Sequence, residues 1–181
     1  MFSFGKLNRQ RMHRLEKTAV LDPELVFTAR SLDVNWIWLI ITEGWCGDAA
    51  QNIPIIEKIA AENEGIVTRY VLRDENLDLM DRFLTNGARS IPKLIALNAD
   101  TLEVLGTWGP RPKHAQDYFY AMRDQGVEHG AIMERLQRWY NEDHGRLIQD
   151  ELRLLTAEWA KKSSLSLGSS LSLDSLGSAA A

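Results

Sequence analysis

A chain of 181 residues, 45% hydrophobic and 25% charged, is long enough to bury a real core and has the balance of an ordinary globular protein. A formal net charge of −4 and a single cysteine exclude a general nucleic-acid or membrane signature, an internal disulfide framework and any cysteine-rich zinc or iron–sulfur centre. No stretch of signal-peptide or bilayer-spanning length is present, since Arg9 to Lys17 is thick with charge, and a soluble cytoplasmic protein is expected.

Leu7 to Leu21 reads as a charged helix with Met12, Leu15 and Val20 on a modest apolar side. Asp22-Pro23 then supplies an N-cap and a first helical residue for a short helix to Leu32. Trp36 to Thr42 is almost continuously apolar and rich in β-formers, the pattern of a central strand buried on both faces. Ala49 to Glu62 is helical, with Ile53, Ile56, Ile59 and Ala60 at core spacing and a kink expected at Pro54. Ile66 to Leu72 is the next strand. Arg73 to Asn76 forms a polar turn into a short helix that turns Leu77, Met80, Phe83 and Leu84 inward, and Asn86-Gly87 reads as its stop. A hairpin of Lys93–Leu97 and Glu103–Thr107 follows, and Gly109-Pro110-Arg111-Pro112 separates it from a helix over Lys113 to Arg123. This order, strands alternating with helices and then a hairpin, indicates an α/β fold.

Beyond Gly130, Ile132, Leu136 and Trp139 repeat at helical spacing, and Ile148, Leu152, Leu155 and Trp159 do so again after a break at His144-Gly145. This stripe must bury itself, against the N-terminal helices, in the seam of a homodimer or in a partner interface. Ser163 to Ala181 is built of Ser, Leu, Gly and Ala with Asp174 as its only charge, and is expected to be a disordered tail.

The chemistry concentrates in Trp45-Cys46-Gly47-Asp48-Ala49, which holds the only cysteine where a strand hands over to a helix. Helix N–H groups and the dipole there favour thiolate, whereas the Asp48 carboxylate repels it and raises the thiol pKa. The two oppose each other at Cys46. Trp45-Cys46-Gly47 resembles the start of the Trp-Cys-Gly-x-Cys motif of the thioredoxin superfamily, and Arg89-Ser90-Ile91-Pro92 stands where that family places its cis-proline loop. The resemblance spans roughly Asn35 to Asp124, and is closest to bacterial thioredoxin-like proteins with Trp-Cys-Gly-Asp motifs. It implies a three-layer sandwich around a mixed sheet. The expected organisation is an N-terminal helical extension (1–34), the thioredoxin-like domain (35–128), a C-terminal helical extension (129–162) and the tail (163–181).

The resemblance also implies roles: Cys46 as nucleophile, Trp45, Gly47 and Asp48 beside it, and Ile91-Pro92 facing it with backbone that pairs with an extended substrate. Ala49 stands in the place of the resolving cysteine, and Ile40 where many thioredoxins bury a carboxylate. Two readings follow. In the first, Cys46 forms a mixed disulfide that a low-molecular-weight thiol or a cysteine of a partner protein resolves. In the second, the groove beside Cys46 and Pro92 is a redox-inactive binding module. Glu43, Arg73, Asp74 and Arg89 lie on neighbouring loops, where surface ion pairs are the simpler expectation. His13, His114, His129 and His144 lack ligand spacing, Gly106 to Gly109 reads as a strand end rather than a phosphate loop, and no metal or cofactor is implied.

Overall fold

A computed structural model describes residues 2–174, with side chains from 5 to 165. Helix α1 (Phe2–Thr18) precedes α2 (Pro23–Ser31), whose N-cap Asp22 accepts hydrogen bonds from the Glu24 and Leu25 N–H groups. Strand β1 (Trp36–Thr42) leads into α3 (Gly47–Ala60), which runs through Pro54, and then into β2 (Ile66–Leu72). A 3-10 turn (Arg73–Glu75) and the single-turn α4 (Leu77–Met80) connect to β3 (Lys93–Asn98) and β4 (Val104–Trp108). Helices α5 (Lys113–Asp124), α6 (His129–Asp143) and α7 (Arg146–Asp174) complete the chain.

The four strands form one mixed sheet in the order β2-β1-β3-β4. Strand β1 runs parallel to β2, with Trp36 opposite Ile66, and antiparallel to β3, with Leu39 opposite Ile95. Because successive side chains point to opposite faces, Trp36, Trp38 and Ile40 share one face and Ile41 serves the other, and all four are fully buried. Leu39, Leu97 and Phe83 are only half-buried at the edge of this core, and Leu77 and Leu84 are exposed. The inward-facing short helix therefore reduces to Met80, since α4 ends there. Asn86-Gly87 closes a tight two-residue turn instead of stopping a helix: both residues have positive φ, 50° and 76°, and Thr85 and Ala88 exchange both backbone hydrogen bonds. Asn-Gly suits that geometry better than almost any other pair.

The C-terminal apolar stripe is buried within the chain. Ile132 and Leu136 of α6 pack with Ala115 and Met122 of α5. His144 adopts the left-handed conformation that ends α6, as the break there requires. Helix α7 lays Ile148, Leu152 and Trp159 on the main core, and the Trp159 ring meets Trp36 and Trp38 edge-on at 6.4 and 6.2 Å. Gly106 of β4 makes room for it, since a Cβ there would come within 2.0 Å of the Trp159 indole nitrogen.

Helix α7 runs into the segment expected as a tail, from Arg146 to Asp174. Ser163 lies one helical turn after Trp159 on the same face, is buried, and accepts hydrogen bonds from Trp36 Nε1 (3.4 Å) and Asn98 Nδ2 (3.3 Å). Residues 175–181 of the expected tail lie outside the described residues. No helix among the described residues is long and apolar enough to cross a membrane.

Ile95→Ala should cost about 2–5 kcal/mol of unfolding free energy in urea, as deletions at other fully buried sites do. Ser163→Ala should cost about 1–3 kcal/mol, because it leaves two buried donors unpaired. A Ser163→Ala denaturation curve superimposable on that of wild type would show that this end of α7 does not dock.

Candidate functional site

The Cys46 loop is built by the end of β1 and the start of α3. A turn in which Cys46 N–H donates to Glu43 O at 3.0 Å reverses the chain, and Cys46 becomes the N-cap of α3 with φ −76° and ψ 118°. Its sulfur does what a serine or aspartate oxygen does at such a position, accepting from Ala49 N–H at 3.4 Å. The thiol in turn donates to Ile91 O at 3.3 Å, and the Ile91–Pro92 bond is cis. Cys46, Ala49, Ile91 and Pro92 therefore form one contact across the sheet end.

Cys46 is only 7% exposed, although it stands where a strand hands over to a helix at the end of the sheet. The cover comes from distant parts of the chain. Asn8 of α1 donates to Gly44 O at 3.2 Å, and Arg11 reaches the open side of Gly47. Trp45 is half-buried beneath the Arg73 guanidinium, 4.9 Å from its ring centre. Burial is the largest influence on the thiol. Together with the Asp48 charge it pushes the pKa up to about 11, against the Ala49 and Asp48 N–H groups and Arg111. The contest between helix terminus and carboxylate is thus decided by desolvation.

Asp48 belongs to a buried network. Arg111 grips its carboxylate bidentately, Nε to Oδ1 at 2.9 Å and Nη2 to Oδ2 at 2.7 Å, with both side chains 11% exposed. The Tyr140 hydroxyl, from α6, donates to the same Oδ1 at 2.8 Å. The Asn52 amide lies within hydrogen-bonding distance of the Tyr140 hydroxyl, Asp48 O and Pro110 O. Arg111 also donates to Gln116 and stacks 4.4 Å from the centre of the Phe119 ring. Tyr140 is held protonated far above the usual tyrosine range, first by burial and then by Asp48.

Asn52, Arg111 and Tyr140 were not identified from sequence. Arg111 carried only the signal of a lone cation between two prolines, and Tyr140 none. The other loop residues form surface pairs: Arg73 with Asp74, and Arg89 bidentately with Asp81. Glu43 accepts from Asp74 N–H at 2.9 Å, and Ile40 is fully buried in the core. Among the described residues no group of three or more His, Cys, Asp or Glu side chains is placed to hold a metal ion.

Because the folded thiol titrates higher than the unfolded one, it favours the fold below pH 9 and loses that contribution as pH rises toward 11. Cys46→Ala should therefore flatten the fall in stability between these values relative to wild type in pH-resolved urea titrations. Asp48→Asn should move the midpoint of pH-dependent Cys46 alkylation downward. It should also destabilise the fold by about 3–5 kcal/mol, since it leaves the Arg111 cation buried without its counter-charge. An unmoved alkylation midpoint would show that Asp48 does not act on the thiol.

The chain is similar in fold to a protein of unknown function from Pseudomonas aeruginosa, at 15% identity and a TM-score of 0.65, with 83% of this chain and 84% of that one covered. It is also similar to an HIV epitope-scaffold, at 15% identity and a TM-score of 0.62, covering 87% and 91% of the two chains. No curated protein matches it. The family model described as thioredoxin matches residues 2–125, spanning α1, the Cys46 motif, the cis-proline loop and α5. With the mixed sheet and the Cys46–Ile91 contact in place, this chain belongs to the thioredoxin family.

Proposed function

We propose that this protein is a thioredoxin-fold binding module in which the groove beside Cys46 and Pro92 receives an extended segment of a partner protein. The observation that carries this reading is the state of the Cys46 thiol, which is buried and donates its proton to Ile91 O. Raising the thiol from 9.0 to about 11 cuts the thiolate at pH 7 by roughly 100-fold. The greater intrinsic nucleophilicity of the more basic sulfur recovers only about tenfold of that. A net slowing of about an order of magnitude, a thiol only 7% exposed and Ala49 in place of a second thiol all count against turnover. The sulfur instead serves as a structural link between the α3 N-terminus and the loop that would line the groove.

A second reading is favoured by one contact, the Ala49 N–H donated to Sγ, which would also stabilise a thiolate once formed. In that reading Cys46–SH attacks a disulfide R–S–S–R′, giving Cys46–S–S–R and R′–SH, and an external thiol R″–SH releases R–S–S–R″ and regenerates Cys46–SH.

Mass spectrometry after incubation with an oxidised small-thiol mixture at neutral pH separates the two. The binding module predicts no adduct on the folded wild-type protein and a full adduct in urea. An adduct on the folded protein that persists until thiol is added, and that is shorter-lived in Ala49→Cys, would replace it with the monothiol reading.

A further inference from the structure

A cleft of about 280 Å³ opens where α1 and α6 end and α7 begins, and neither Cys46 nor Pro92 lines it. Of the residues in the Asp48 network only Tyr140 reaches it, and the Tyr140 hydroxyl is already engaged with Asp48 and Asn52. The walls carry Arg14 from α1, Arg146 from α7 and His144 from the link between α6 and α7, and no aspartate or glutamate. In a chain of formal net charge −4, a cleft whose charged side chains are all cationic is a local reversal of sign.

We propose that this cleft binds a phosphate group, free or on a small ester, held between Arg14 and Arg146. Neither guanidinium forms an ion pair with a carboxylate among the described residues. Arg14 makes one long hydrogen bond, from Nη2 to Asn141 Oδ1 at 3.4 Å, and Arg146 donates Nε to Asp143 O at 3.1 Å. Both therefore keep guanidinium N–H groups over for a ligand. Asp143, beside the cleft, is buried, and its carboxylate accepts from the Leu147 N–H at the start of α7.

The hydrogen-bonding balance of the walls sets the sign of the ligand. The amide oxygens are taken, Gln149 Oε1 by the Asp22 N–H at 2.7 Å and Asn141 Oδ1 by Arg14 and Gln137. The Gln149 amide nitrogen is spent on Val20 O and Gly145 O. What remains unfilled is largely N–H on the two arginines, which oxygen acceptors satisfy and a cation cannot approach. Two guanidinium forks from different helices can each engage oxygens of one tetrahedral phosphate, whereas a monocarboxylate offers a single pair. The volume, just below that of a drug-sized site, leaves room for the phosphate and a small substituent.

The test titrates the full chain with inorganic phosphate, glycerol phosphate and acetate at constant ionic strength and about pH 8, where both phosphates are dianions. Amide and arginine Nε–H NMR shifts report binding. Both phosphates should give saturable shifts at Arg14, Ala19, Asn141 and Arg146, half-complete below about 10 mM, with acetate at least about fivefold weaker. Tighter binding of glycerol phosphate assigns the cleft to an ester, and equal binding to the free ion. Arg14→Gln and Arg146→Gln, both at exposed positions that the fold does not depend on, should each weaken phosphate about tenfold. Arg135→Gln, exposed on α6 outside the cleft, should stay within about twofold of wild type. The proposal is overturned if neither phosphate gives saturable shifts at these residues, or if acetate binds as well as phosphate. It is overturned equally if the two cleft variants bind like wild type, or if Arg135→Gln weakens phosphate as much as they do.

Discussion

Asp48 and Arg111 meet at 2.7 Å with about a tenth of either side chain exposed, and three helices and a loop converge on them. Asp48 is in the first turn of α3, Arg111 follows the cis Gly109–Pro110 bond, Gln116 and Phe119 come from α5, and Tyr140 from α6. Taking two charges out of water is expensive, and their attraction offsets that cost only when geometry is close and the remaining donors and acceptors are filled. Both conditions are met here. The guanidinium fork engages both carboxylate oxygens, a phenol hydroxyl adds a third bond, and the spare guanidinium nitrogen finds Gln116. A network of this kind does more to fix one arrangement of α3, α5 and α6 than to add net stability.

That arrangement governs the thiol. A carboxylate two residues after a cysteine acts on it as a local negative charge, and Arg111 takes away part of its effect without removing it. Desolvation by burial supplies the larger share, so the sulfur stays protonated. A protonated sulfur can both accept from Ala49 N–H and donate to Ile91 O, whereas a thiolate can only accept. The neutral state is the one this hydrogen-bond pattern requires. In this chain the motif cysteine bridges the α3 N-terminus and the cis-proline loop.

Local pattern made much of the fold legible. The unbroken apolar run at Trp36 to Thr42, Asp22-Pro23 as a helix start and the strand at Ile66 to Leu72 all match the structure within a residue or two. What failed was long-range or polar. Whether Cys46 is exposed depends on Asn8 and Arg11, more than thirty residues away, and no spacing rule links a charged helix to the cover of a later loop. Ser163 continues the buried stripe of Trp159, but a hydrophobic pattern does not register serine even where the partner is an indole N–H. Arg111 and Tyr140 find Asp48 across 63 and 92 residues, and neither residue type distinguishes a buried network from a surface pair.

The same long-range contacts change what the C-terminal extension means. The family match ends at residue 125, yet Tyr140, Trp159 and Ser163 each complete something begun inside the matched region. Tyr140 supplies the third bond to Asp48. Trp159 covers Trp36 and Trp38, which without it would present two indoles of the central strand to solvent. Ser163 satisfies the Trp36 indole N–H and the Asn98 amide. Strand β1 carries the Cys46 loop at its end, so a helix that seals β1 also holds that loop in register. Helices α6 and α7 thus close the core and the site together, and the thioredoxin unit of this protein is physically complete only when the extension is counted as part of it.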